Sequence, residues 1–138
     1  MRSMKRTPAD IAFSKCIREA SDWQCVTCGK QHVQGSGGLE CSHGYSRGNW
    51  GIRFKAMNAR AQCTACHFRV AGAWMLQELT DFERDVLEEW RVDLPMAKVY
   101  RATKGKGEIA KHYRDEHARL LQQRAEGQMG ELSFDDWF

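Results

Sequence analysis

Long apolar runs are missing from this chain. No stretch of its 138 residues approaches the roughly eighteen apolar positions that a membrane-spanning helix needs. The opening MRSMKRTPAD lacks the apolar segment of a secretory leader. A chain of this kind is expected to stay in the cytoplasm and to contact no membrane. Proline is scarce, with two residues, and there is no internal repeat. Acidic residues are absent from one long stretch: Cys41 to Gln77 contains Arg47, Arg53, Lys55, Arg60 and Arg69 and no Asp or Glu. The length excludes more than one modest core.

What the chain does have is cysteine and alternating charge. Its six cysteines, in a reducing compartment, argue for metal rather than disulfides. The net charge of +3 averages over blocks of opposite sign. Seven acids face Arg84 and Arg91 between Glu78 and Leu94, eight bases face four acids between Lys98 and Glu126, and the end carries Glu131, Asp135 and Asp136 without a base. A basic, acid-free block suits a polyanion, although a solvated basic face would look the same.

The periodicity predicts α+β architecture as one domain in four stretches. Residues 1–22 form an N-terminal helix packed on the core, with Thr7 as cap, Pro8 in the first turn, and Phe13, Cys16, Ile17 and Ala20 on one face. Residues 23–79 hold the Gly-punctuated centre, where Leu39–Tyr45 and Ile52–Met57 read as hairpin arms, followed by a helix from Cys63 towards Leu79. Residues 80–127 are helical. Thr80 and Glu83 form a capping-box pattern, Phe82, Val86, Leu87 and Trp90 share a face, and Pro95 closes the helix. A basic linker, Arg101 to Lys106, leads to a last helix with Ile109, Tyr113, Leu120 and Leu121 as its stripe and Gly127 at its end. Residues 128–138 read as an acidic tail unattached to the core.

Two CxxC pairs, Cys25/Cys28 and Cys63/Cys66, flank residues 29–62. That spacing fits a four-thiolate zinc site, closed to substrate and therefore structural, with a redox CxxC as the minor alternative. Gly29 lets the backbone fold back beside the first pair. Cys16 belongs to a helix core face, and Cys41 is either strand filling or a neighbour of a second metal. Between and beyond the pairs lie His43, Asn58 and His67.

The stretch Phe13 to Gly72 resembles the HNH, or ββα-metal, endonucleases of the NinG/Rap type found in phage recombination systems. The matching segments are Phe13-Ser-Lys-Cys-Ile-Arg18, Cys25-Val-Thr-Cys-Gly29, Glu40-Cys-Ser-His43, Arg53-Phe54, Asn58 and Gln62-Cys-Thr-Ala-Cys-His67. The resemblance implies a zinc-bound treble clef with an N-terminal helix and C-terminal helices, in host cytoplasm if the gene is a phage's. It also implies a DNA endonuclease acting on branched or recombination intermediates.

The residue chemistry is compatible. His43 is the candidate base for the attacking water, Asn58 either fixes His43 or forms a turn, and His67 is the candidate ligand for a catalytic Mg(2+) or Mn(2+). Arg47, Arg53, Lys55, Arg60 and Arg69 are the candidates for holding phosphate. Trp50 could stack on a base, or plug the hairpin. One departure stands out: where many nucleases of the superfamily it resembles place an acidic metal ligand before the base, this chain has Ser42. That leaves Ser42 itself, Glu40, or phosphate and water to complete the ion's shell. The Asp-Asp-Trp-Phe ending resembles the acidic tips by which bacterial single-strand-binding proteins recruit partners, which implies a replication or recombination protein as partner. Symmetric junction cleavage would need a homodimer, for which the sequence carries no heptad signature.

Overall fold

Thr7 and Asp10 start the first helix reciprocally. In a computed structural model of the chain, the Asp10 amide donates to Thr7 Oγ1 at 3.2 Å and the Thr7 amide donates to the Asp10 carboxylate at 2.8 Å. The helix, α1, covers Pro8–Ala20. The structure describes residues 5–103 and 107–138, without the side chains of residues 71–75. Lys104 to Lys106 of the expected linker lie outside the described residues. The fold is α+β: a two-stranded antiparallel sheet with helices around it. No helix among the described residues is long and apolar enough to cross a membrane.

The hairpin pairs β1, Leu39–His43, with β2, Ala59–Cys63, in the register Leu39 to Cys63 through His43 to Ala59. The first arm is as expected apart from its end. The second lies further along the chain than the Ile52–Met57 arm read from sequence. Residues 49–55 instead fold as turns, with the Ile52 amide bonded to the Asn49 carbonyl and the Lys55 amide to the Ile52 carbonyl, both at 3.1 Å. Residues 51 to 55 are all buried, so the apolar Ile52 and Phe54 belong to an inward-packed loop rather than to one face of a strand. A 3-10 turn over Ala56–Asn58 then delivers the chain to β2.

Alternation along the strands divides the hairpin. Leu39, Cys41 and His43 share a face with Ala59, Ala61 and Cys63, while Glu40 and Ser42 share the other with Arg60 and Gln62. The first face joins the main core under α1. Phe13 is its centre, with ring centroids 5.1 Å from Tyr113 and 6.0 Å from Phe54 in edge contacts.

Beyond β2 run α2 (Thr64–Glu78), α3 (Asp81–Arg91), α4 (Leu94–Thr103) and α5 (Glu108–Ala125). The capping box of Thr80 and Glu83 forms. Pro95 sits in the first turn of α4, where its missing amide costs nothing, instead of closing the preceding helix. Two expected stripe members face solvent: Phe82 is 76% exposed, and Leu121 is also exposed. Leu87 forms a second, smaller core with Ile52 and Leu79. There the loop meets α3 closely enough that a Cβ at Gly51 would collide with the Trp90 carbonyl oxygen.

The expected free tail is docked. Leu132, Phe134 and Trp137 pack on the main core. The Leu132 amide donates to the Ala20 carbonyl at 2.8 Å, the Ala56 amide to Asp136 Oδ1 at 2.9 Å, and the Trp137 amide to the Tyr113 hydroxyl at 3.1 Å. Three apolar side chains in this segment supply the burial that its acidic residues conceal.

Asp10 also anchors Arg53, which is 1% exposed, through bonds of 3.0 Å from Nε and 2.6 Å from Nη2. Burial alone would raise the Asp10 pKa, but the Arg53 and Thr7 hydrogen bonds outweigh it and hold the carboxyl below its ordinary value. A depressed acid contributes stability above its unfolded-state pKa and loses it as the pH falls through the folded value. Stability measured by urea unfolding should therefore decline as pH falls below about 4, and Asp10→Ala should flatten that decline. At pH 7 the same substitution strands a buried guanidinium and should cost about 3 kcal/mol or more.

Candidate functional site

Four sulfurs converge at one end of the hairpin. The ligand atoms of Cys25, Cys28, Cys63 and Cys66 all lie within 4.8 Å of one another, and Cys28 Sγ is 3.9 Å from Cys63 Sγ. A tetrahedral zinc with Zn–S bonds of about 2.3 Å sets its sulfurs roughly 3.8 Å apart, so the cluster could hold a zinc ion. The local folding explains the convergence. Gly29, at φ +76°, turns the first pair back so that its amide reaches the Cys25 carbonyl at 2.9 Å. The Val26 amide donates to the Ala61 carbonyl at 2.9 Å, which docks this knuckle on the free edge of β2. Cys63 ends β2, and Cys66 lies one turn into α2.

The thiols do not titrate alike. Burial acts to raise the Cys25 thiol, yet hydrogen bonds with the Cys28, Cys63 and Thr27 backbone bring it down to about 6. Cys66 is pushed up to about 12, chiefly through its hydrogen bond with Cys63. Cys25 and Cys66 are thus pushed in opposite directions, a conflict that a divalent cation would remove. Among the described residues this is the one group of three or more His, Cys, Asp or Glu placed to hold a metal. Cys16, with its Sγ 3.1 Å from the Tyr113 carbonyl, is core. Burial lifts both Cys16 and Cys41 to about 12.

His43 ends β1 at the opposite end of the hairpin from the cysteines, its ring centroid 6.1 Å from that of Phe13. Burial, reinforced by the Arg47 charge, lowers its pKa to about 4, against the opposing effects of Asp10 and of a hydrogen bond with the Arg53 backbone. Its Nε2 is buried and has no hydrogen-bond partner. The imidazole is therefore neutral near pH 7, with one nitrogen unengaged.

Asn58 does not meet His43. Its Oδ1 accepts from the Tyr45 amide at 2.9 Å and its Nδ2 donates to the Tyr45 carbonyl at 3.1 Å. It clamps the backbone two residues past His43 and so fixes where β1 ends. His67, in the first turns of α2, has Nδ1 3.0 Å from Glu40 Oε1. Ser42 Oγ and Gln62 Oε1, on the same hairpin face as Glu40, are buried without partners. The structure therefore brings His67 to Glu40 and keeps His43 apart, on the other face and at the other end of the strand.

The expected phosphate contacts divide as well. Arg53 is committed to Asp10, to the Arg47 carbonyl at 3.2 Å, and to the Trp50 ring at 4.1 Å. Trp50 thus plugs the loop as a partner of that guanidinium. Lys55 is 3% exposed, donates to the main-chain oxygen of Phe138 and lies 4.6 Å from the Trp90 ring centroid. Neither faces a ligand, because both charges are consumed in packing the loop. Arg47 is half-buried, 3.6 Å from Asp10. Arg60 is half-buried and donates to the Ala56 and Ala59 carbonyls, and Arg69 is exposed. Asp10 was legible in the sequence only as a favourable charge at a helix start; nothing local signals a partner 43 positions away.

No protein-family model, curated protein or solved structure matches the chain.

If the cluster binds zinc, Cys28→Ser should reduce metal content and destabilise the chain by several kcal/mol. Cys28 is an exposed residue, so little packing is lost with it. Metal analysis and thermal unfolding, with and without a chelator, measure both. A chelator-treated protein that melts unchanged would remove zinc from the account.

Proposed function

We propose that the chain is a zinc-stabilised, divalent-metal-dependent endonuclease of the HNH type, hydrolysing DNA phosphodiester bonds, with branched or recombination intermediates as the substrates its sequence resemblance suggests. The observation that carries this reading is His43: a neutral imidazole with an unpartnered Nε2, fixed on a hairpin whose other strand leads into a cysteine pair placed to hold a metal. In this reading the hairpin, the knuckle and α2 form a treble clef.

His43 takes a proton from the attacking water, and Asn58 keeps the strand end in place through Tyr45. Glu40 and His67 would hold Mg(2+) or Mn(2+), with the orphaned Ser42 Oγ and Gln62 Oε1 on the same face. The carboxylate absent at position 42 is thereby replaced from two residues back. Such an ion would supply charge stabilisation to the leaving oxygen and the pentacoordinate phosphorus. Arg69, Arg60 and Arg47 remain as phosphate contacts, and Arg53 and Lys55 do not enter the mechanism.

The separation of the two imidazoles favours a second reading. Glu40 and His43 are three residues apart on β1, roughly 10 Å along a strand, and on opposite faces. A zinc module that binds nucleic acid or a recombination protein without turnover would tolerate that spacing.

A nicking assay on purified protein with Mg(2+) or Mn(2+) separates the two readings, since a module would retard DNA without cutting it. His43→Ala should abolish cleavage while zinc content and DNA binding persist. The base must be unprotonated, so kcat/KM should rise as pH increases through about 4, the value set by burial of His43. Cleavage by the His43→Ala protein at the wild-type rate would eliminate His43 as the base.

A further inference from the structure

We propose that the groove between α1 and α5 is a docking site for an acidic segment of a partner protein, anchored by one large apolar side chain. The groove has a volume of about 410 Å³. Its α1 wall consists of Pro8, Ile11, Ala12 and Lys15, which repeat at helical spacing along one flank, and its α5 wall consists of Arg114 and His117, one turn apart. Ala12 is buried at the bottom, and Ile11 stands 46% exposed beside it. That is an apolar floor open to solvent.

Lys15 and Arg114 make the rim cationic. Lys15, Arg114 and His117 have no hydrogen-bond or ion-pair partner among the described residues. Other cations of α5 are paired, Lys111 with Asp115 at 2.7 Å and Arg119 with Glu116 at 3.0 Å. Burial holds His117 below the ordinary imidazole value, the Glu19 charge opposes this, and Lys15 and Arg18 add to it. The positive field around the groove thus does not depend on protonating His117.

Charge complementarity selects an anionic occupant, and the floor selects among anions. A stacked duplex offers phosphate but no apolar group to fill the groove. A single strand would need an aromatic face for its bases, and no Phe, Tyr or Trp lines these walls. An acidic peptide with a Phe or Leu among its carboxylates satisfies both the rim and the floor. The chain's own acidic, aromatic segment cannot serve, because residues 132 to 137 are held against Ala20, Ala56 and Tyr113. The occupant therefore comes from another protein, and this inference is independent of the nuclease reading.

Fluorescence anisotropy with the full-length chain and a dye-labelled peptide, Asp-Asp-Phe-Glu-Asp, tests it. Saturable binding is expected, weakened about tenfold or more when the peptide's Phe becomes Ala, or when its acids become amides. Lys15→Glu with Arg114→Glu, and separately Ile11→Asp, should weaken it similarly. All three positions are exposed, and circular dichroism checks that the variants fold. Absence of saturable binding, binding indifferent to the Phe or to charge reversal, or displacement of the peptide by a short single-stranded or duplex DNA at equal concentration would each overturn the proposal.

Discussion

A fully buried guanidinium must be matched or it unfolds its surroundings, and much of this structure is arranged around matching Arg53. Taking its charge out of water costs several kcal/mol, offset here by the fork of bonds to Asp10, by the Arg47 carbonyl and by the face of Trp50. The same Asp10 carboxylate completes the capping box of α1. Meanwhile the Arg53 backbone holds the His43 ring. One ion pair therefore ties the start of the first helix, the long connection between the strands and the candidate base into a single unit.

The two-stranded sheet at the centre would be marginal alone. It is secured at both ends by different chemistry. At the Leu39–Cys63 end the four sulfurs gather knuckle, strand and helix, while at the His43–Ala59 end Asn58 clamps Tyr45 and the buried loop closes over Ile52 and Phe54. Glu40 and His67 belong to the first end and His43 to the second. The two imidazoles consequently live in different surroundings, one against a half-exposed carboxylate, the other in an aromatic core under an arginine field.

Local chemistry was readable in the sequence and long-range commitment was not. The helix starts at Thr7 and Thr80, the core face of α1 and the convergence of the cysteine pairs follow from rules acting within a few residues or from spacing alone. The second strand was misplaced because Ile52 and Phe54 alternate like strand residues, whereas turn bonds bury both of them. Arg53 and Lys55 looked like phosphate ligands because their internal partners, Asp10 and the docked tail, are distant in sequence. The tail looked free because its carboxylates mask Leu132, Phe134 and Trp137.

The pairing of the first helix with the last has a consequence in time. Cys16 meets Tyr113 across 97 positions of chain, and Phe13 is covered by Tyr113 and Phe134. At synthesis rates of about 5 to 20 residues per second, the 97 positions between Cys16 and Tyr113 take roughly 5 to 20 s to make, and the apolar stripe of α1 waits that long for the segment that covers it. Through that interval α1 is an adhesive helix whose partner, α5, has yet to be made.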